Sequence, residues 1–268
     1  MADTARHDAW QAGDSYEQYM GRWSRQVAPR FLDWLNLPGG LDWLEVGCGT
    51  GALSAAIVAR CNPNSLFAID PSQGFLAQAQ AKVSDRRVTF QVGDAQALPV
   101  NAASKDVIVS ALVLNFVDDK KQALTEMKRV AREGGTIGFY VWDYAGAGVE
   151  FMHAFWRAAT ALDPNAADLT EDKRFPFCTR EGLIDLARSA DLTSVDLTAI
   201  EVATVFSDFE DFWRPFTLGA GPAPGYCASL APAGRQALKQ KLQDDLSPRG
   251  DGTIHCTARA WAVRATRD

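Results

Sequence analysis

The stretch "LDWLEVGCGTGALSAAIVAR", residues 41–60, runs from an apolar segment straight into three glycines at every second position, Gly47, Gly49 and Gly51, and then into a helical pattern with Leu53 and Ile57 on its inner face. A strand, a bare loop and a helix in that order place backbone without Cβ atoms at a helix entrance. There the chain can turn sharply and a ligand can come close to it. "GCGTGA" also satisfies the loose G-x-G-x-x-A form of the dinucleotide fingerprint, so the loop alone leaves the ligand open.

Working outward, "LDWLEV", "SLFAID", "VTFQV", "DVIVSAL" and "TIGFYVW" read as strands that alternate with helical patterns between residues 41 and 143. That rhythm belongs to a parallel sheet covered on both faces, and the unbroken apolar run Leu66 to Ile69 fits a strand buried on both sides. Residues 73–84 place Phe75, Leu76, Ala79 and Val83 on one helical stripe behind an N-cap at Ser72. Residues 118–132 open on Asp118 and Asp119, turn Leu124, Met127 and Val130 inward, and close on Lys128, Arg129 and Arg132, with Gly134 expected as the left-handed cap.

Upstream, "SYEQYMGRWSRQVAPRFLDWLNLPGG" gives a short amphipathic piece and then a helix carrying Val27, Phe31, Leu32 and Leu35, stopped by Pro38-Gly39-Gly40. Downstream, two stretches exceed a simple crossover, residues 144–179 and 207–250, the latter holding "GAGPAPG". Between and after them stand "LTSVDLTAIEVATVF" and "TIHCTARAWAVRA". No internal repeat or flexible linker interrupts the chain, so residues 1–268 are expected to form a single domain.

With 268 residues, 47% of them hydrophobic, the chain has ample material for a core. A net charge of -6 and a pI near 5.2 speak against a nucleic-acid partner gripped through its phosphates. The cysteines Cys48, Cys61, Cys178, Cys227 and Cys256 are scattered without C-x-x-C spacing, which predicts reduced thiols in a cytoplasmic protein rather than a disulfide frame or a zinc site. The N-terminus lacks the pattern of a secretory signal, and no run reaches the roughly 18 apolar residues of a membrane span. No metal and no membrane association are expected.

The ligand is narrowed by three acids. Asp70 ends the second strand, where a carboxylate can accept hydrogen bonds from both hydroxyls of a ribose. Asp94 follows the third strand and can meet the amino edge of an adenine, with the Ala95 N–H for a ring nitrogen. Glu45 stands two residues before the first glycine. Three carboxylates around one pocket repel a pyrophosphate at close range and suit a cation. S-adenosylmethionine joins an adenosine to a sulfonium and an ammonium group and fits both demands.

The ordered set "LEVGCGTG", "FAIDPS", "VGDAQALP", "DVIVSALVLNFVDD" and "VAREGGTIGFYVWDY" resembles the class I S-adenosylmethionine-dependent methyltransferases, particularly the group similar to ubiquinone and menaquinone biosynthesis C-methyltransferases (methyltransferase type 11). The resemblance covers roughly residues 16–143 and implies an α/β fold: a Rossmann-like, doubly wound seven-stranded sheet of order 3-2-1-4-5-7-6. Strand seven, "TIHCTARAWAVRA", would be antiparallel, and helical insertions at 144–179 and 207–250 would cover the substrate. It further implies that Gly47, Cys48 and Gly49 flank the methionyl group, that Asp70 binds the ribose, and that Pro71 and Ser72 line the adenine side. Asp94 and Ala95 would read the adenine, and the backbone of Ser110 and Ala111 would accept the cofactor amine. Residues 14–36 would form an N-terminal lid, with Tyr19, Arg22 and Trp23 at the cofactor and Arg22 facing its carboxylate.

The reaction implied is methyl transfer to a small-molecule acceptor by in-line displacement, with the nucleophile about 3 to 3.5 Å from the methyl carbon. No general base declares itself. His153 is read as a helical histidine before a base, His255 as outward-facing beside the inward Ile254, Cys256 and Ala258, and His7 precedes any pattern. Asn115, Tyr140 and Tyr144 could line the acceptor site. The aromatic stretches "EFMHAFWRAATAL" and "FEDFWRPF" are read first as helix packing, through Phe151, Phe155, Trp156, Phe209, Phe212, Trp213 and Phe216, and second as a cage. Cys48 is read as a small loop residue rather than a nucleophile. Two other functions compete: a non-catalytic S-adenosylmethionine-binding module, and a nicotinamide-dependent oxidoreductase using the degenerate fingerprint.

Overall fold

The apolar run at 42–46 becomes strand β1 (Asp42–Val46), and its neighbours are set by the parallel register Trp43↔Leu66 on one side and Trp43↔Val107 on the other. The computed structural model describes residues 17–219 and 221–268. His7, residues 14–16 of the expected lid segment and Ala220 lie outside them. The strands β2 (Ser65–Asp70), β3 (Val88–Val92), β4 (Lys105–Ala111), β5 (Ala131–Trp142), β6 (Thr193–Phe206) and β7 (Ile254–Thr266) complete one sheet of order 3-2-1-4-5-7-6. β7 runs antiparallel to β5, from Thr136↔Thr266 to Trp142↔Ala260. The sheet is the one the resemblance implies.

By contacts the chain groups into two compact units. The first, the sheet unit, comprises Ser24–Trp142, Phe177–Ile200 and Ala260–Asp268. Its core includes the place where helix α1 (Arg22–Leu35) lays Phe31 and Leu35 on β5, with Val27 buried on the same helix; the Phe31 and Tyr140 rings are 4.9 Å apart. Gly138 is the residue that permits this approach, since a Cβ there would meet Phe31 at 3.0 Å. Helices α2 (Ala52–Arg60), α3 (Gln73–Lys82) and α4 (Lys120–Val130) follow β1, β2 and β4 in turn. Ser72 and Asp119 cap the last two by accepting from the N–H groups of Phe75 and Gln122, as their residue types predict.

One local expectation is corrected. Gly134 is left-handed, at φ +71°, but it does not cap α4, whose chain leaves Val130 directly into extended Ala131. Gly134 and Gly135 instead sit in an irregularity of β5. The β4 partners shift from Lys105↔Ala131 to Val107↔Thr136, and the two glycines exchange backbone bonds with Arg267. The extra residues are spent on a bulge because strand pairing to both neighbours outweighs a helix stop.

The second, aromatic unit comprises described residues 17–23, Asp143–Pro176 and Glu201–Arg259. Helices α5 (Glu150–Leu162), α6 (Glu171–Arg174), α8 (Phe209–Trp213), α9 (Pro222–Ser229) and α10 (Pro232–Asp245) belong to it, and α7 (Arg180–Ser189) to the sheet unit. Phe155 and Phe216 stack at 4.4 Å, while Tyr19, Phe151 and Phe206 meet edge to face around them. The aromatic stretches of 151–156 and 212–216 are therefore chiefly core, each pair adding about 0.5–1.5 kcal/mol to its burial. Among the described residues no helix is long and apolar enough to cross a membrane.

Candidate functional site

At the end of β1 the N–H groups of Gly47 and Cys48 both donate to the carbonyl of Ile69, each at 2.8 Å, which folds the glycine loop back over β2. Gly47, Gly49 and Gly51 all take left-handed φ, of +76°, +52° and +85°. The reasons differ along the loop. A Cβ on Gly47 would lie 2.4 Å from Val113, and one on Gly51 would lie 3.1 Å from Ala79, so both are packing requirements. A Cβ on Gly49 would meet nothing within 4 Å. Gly49 is the place where the loop presents bare backbone to open space, and a ligand can use it. Gly47→Ala is expected to cost about 1–3 kcal/mol from left-handed strain and the clash. A Val113→Ala second change should recover only the clash part, and urea midpoints check this.

Asp70 organises the loop. Its Oδ2 accepts from the Gly49 N–H at 2.9 Å and its Oδ1 from the Ser72 N–H at 2.8 Å, so one carboxylate ties the glycine loop to the entrance of α3. Burial pushes its carboxyl up from the ordinary range, and the two N–H donors pull it back. Each oxygen keeps lone-pair capacity for a further donor. The capping role and a ligand role thus coexist on the same group.

Glu45 is buried in β1 and accepts from the Ser54 hydroxyl on the first turn of α2. Burial pushes its carboxyl up to about 8, so at neutral pH it is mostly protonated. Of the three acids taken as an anionic set, Glu45 is held neutral by its own surroundings. Cys48 is buried beside it, and burial pushes its thiol well up, which removes any nucleophilic role at neutral pH.

Asp94 is exposed just past β3, its Oδ1 accepting from the Gln96 N–H, and the Gly93 N–H donates to the Asp70 carbonyl, which brings this turn beside Asp70. Ala95 is half-buried in that turn, Pro71 is exposed, and Ser72 is half-buried. Ser110 is sealed in the sheet, its hydroxyl donating to the Val46 carbonyl at 2.9 Å. Ala111 is the last paired residue before Leu112 turns left-handed at φ +60°. The loop glycines, Asp70, Ser72 and the Asp94–Ala95 turn are thereby linked in one hydrogen-bonded group at the carboxyl ends of β1, β2 and β3. This is the edge where open α/β sheets bind their ligands.

Arg22 is committed elsewhere: it donates to both carboxylate oxygens of Asp211, at 2.7 and 3.1 Å, and its guanidinium lies over the Trp23 and Phe206 rings. A role on a cofactor carboxylate would require breaking that pair. Tyr19 and Trp23 are buried in the aromatic unit. Asn115 is buried, and its Nδ2 has no hydrogen-bond partner among the described residues. His255 is exposed on β7 and Ile254 and Ala258 are buried, as the alternation predicts, while Cys256 is only half-buried. His153 is exposed on α5. Among the described residues no three His, Cys, Asp or Glu gather as a metal site.

One constellation escaped the sequence reading. Trp156 on α5 donates its indole N–H to Glu171 Oε2 on α6, and both side chains are buried beside a cavity of about 240 Å³ within the aromatic unit. Glu171 Oε1 and the nearby Tyr19 hydroxyl have no hydrogen-bond partner among the described residues. "LTED" reads only as a helix start, so the burial of that glutamate had no local signal.

A protein-family model described as a methyltransferase domain matches residues 44–139. The malonyl-(acyl-carrier protein) O-methyltransferase of Methylovorus sp. is 33% identical over 127 residues, 43% of this chain and 42% of that protein, so the chain spans under half the length of that relative. The protein of the same name from Herminiimonas arsenicoxydans is 33% identical over 263 residues, covering 96% of this chain and 92% of that one. Among solved structures, phosphoethanolamine N-methyltransferase 2 of Haemonchus contortus in complex with S-adenosyl-L-methionine superposes with a TM-score of 0.57 at 15% identity, over 95% of this chain and 56% of that one. The last is a likeness of fold.

Proposed function

The chain belongs to the S-adenosylmethionine-dependent methyltransferases, and from that premise we propose that it transfers the methyl group of S-adenosylmethionine to a small-molecule acceptor. The observation that carries the reading is the pinned glycine loop: Asp70 fixed between the Gly49 and Ser72 N–H groups, beside the one loop position that opens onto free space. An acid held there by backbone donors suits the ribose hydroxyls of an adenosine, a feature S-adenosylmethionine and a nicotinamide dinucleotide share, and the methyltransferase relatives favour the former.

When bound, the donor would supply a methyl group on a sulfonium sulfur, which leaves as a neutral thioether. Gly47, Cys48 and Gly49 would pass the methionyl part, Asp70 would accept from the ribose hydroxyls, and Pro71, Ser72, Asp94 and Ala95 would hold the adenine. The backbone of Ser110 and Ala111 is proposed to accept from the ammonium group, and neutral Glu45 to ionise when that cation arrives. Residues 144–179 and 207–250 are proposed to recognise the acceptor. With no base declared, catalysis would rest on placing and desolvating a competent nucleophile.

A second reading is a malonyl thioester carried on a protein, favoured by the name of the Herminiimonas relative and the near-full span of that match. The test is direct. Calorimetry should show S-adenosylmethionine binding while NADH does not bind, and S-adenosylhomocysteine should be released when a metabolite set is offered. Release only with malonyl-acyl-carrier protein selects the second reading. Donor binding without release from any acceptor selects the non-catalytic module.

A further inference from the structure

The aromatic unit contains a cavity of about 240 Å³ whose wall includes Tyr144, Met152, Trp156 and Glu171, with His153 and Arg157 also at its edge. It lies below the roughly 300–1,000 Å³ typical of ligand pockets, which limits it to a small ligand. Its polar anchor is unusual. Glu171 is only 4% exposed, one oxygen is engaged by the Trp156 indole N–H, and Oε1 has no hydrogen-bond partner among the described residues. Tyr19, 2% exposed, keeps its hydroxyl unpartnered in the same way, and burial first, then Glu171 and Tyr144, hold its phenol proton on. Buried polar atoms are almost always paired, so an unmet acceptor in a cavity wall marks a place for a donor.

We propose that this cavity binds a small amine with an apolar body, its ammonium group donating to Glu171 Oε1 and its body lying among Trp156, Tyr144 and Met152. Aromatic walls beside a carboxylate favour a cation over a neutral donor. An anionic ligand has Arg157 available, but that side chain is exposed and screened, whereas the buried, unmet acceptor in the wall is the Glu171 carboxyl. Asp172, also exposed at the cavity, adds to the preference. Burial pushes the Glu171 carboxyl up to about 7, so an arriving ammonium group finds a side chain that ionises readily. That the amine is the methyl acceptor rests on the function proposed above; its binding does not.

The test titrates the full chain with phenethylamine and cyclohexylmethylamine, with their neutral isosteres 2-phenylethanol and cyclohexylmethanol, and with 3-phenylpropionate. Amines are expected to bind roughly tenfold or more tighter than the alcohols, and the carboxylate more weakly than either. Glu171→Gln keeps an acceptor for the Trp156 N–H and should abolish the amine preference while alcohol binding changes less than about twofold. Thr160→Trp, which fills the cavity from its half-exposed wall, should weaken amine and alcohol alike. Equal binding of amines and alcohols, tighter binding of the carboxylate, no binding at all, or an amine preference that survives Glu171→Gln each overturns the proposal. S-adenosylmethionine affinity is measured in parallel. Amine binding without donor binding would sink the methyltransferase reading and leave this site standing, and the reverse result would do the opposite.

Discussion

Replacing Asp70 with alanine is expected to weaken S-adenosylmethionine binding by about ten- to a hundredfold, since a hydrogen bond to a charged group contributes roughly 1.5 to 3 kcal/mol. The same change strips the Gly49 and Ser72 N–H groups of their acceptor, so a stability loss of about 1–3 kcal/mol should accompany it. The two effects must be separated, because a collapsed loop would also lose the donor. A cycle with a donor analogue lacking both ribose hydroxyls does so. If Asp70 accepts from the ribose, the wild-type protein should discriminate against the analogue by most of that factor and Asp70→Ala should not. If Asp70 only pins the loop, both proteins will bind donor and analogue in the same ratio, and the ribose assignment falls.

Much of the local structure around this site is legible in the sequence, because its parts are local. A strand of Trp43, Leu44 and Val46 leading into Gly47 is a statement about neighbouring residues, and so are the caps at Ser72 and Asp119. The order of the sheet came from resemblance rather than from spacing, since no period in the sequence says that β7 must lie between β5 and β6. What stayed hidden depends on residues distant in the chain. Arg22 meets Asp211 across 189 positions, and Tyr19 shares its surroundings with Glu171 through packing that no motif records. Gly134 misled because a glycine after a helix suits a cap and a bulge equally, and the demand of two neighbouring strands decided between them. Glu45 was legible as a residue but not as a charge state: its neutrality is a consequence of complete burial, and a one-dimensional reading counts it as an anion.

That charge state gives the largest effect on stability. Unfolded, Glu45 ionises near its ordinary 4.5; folded, burial holds it to about 8. A carboxyl raised in the folded state contributes fully below pH 4.5 and loses that contribution as pH climbs through 8, because the unfolded chain gives up the proton first. The loss is on the order of 5 kcal/mol across that window. Glu45→Gln has no proton to lose and keeps an acceptor for the Ser54 hydroxyl, so its stability should decline much less between pH 5 and 9. Urea midpoints of both proteins measured every half unit should diverge steadily and then run parallel above about pH 8. The Glu171 carboxyl contributes the same slope to both proteins and cancels in the difference. Donor binding reads the group a second way: a sulfonium and an ammonium nearby favour the carboxylate, so at pH 7 the wild-type protein should release up to about one proton per donor bound. Calorimetry in two buffers of different ionisation enthalpy detects that proton, and Glu45→Gln should not release it. Parallel stability curves for the two proteins would mean that Glu45 is solvated and ionised in the folded chain. An equal proton release from both would assign the titration to another group.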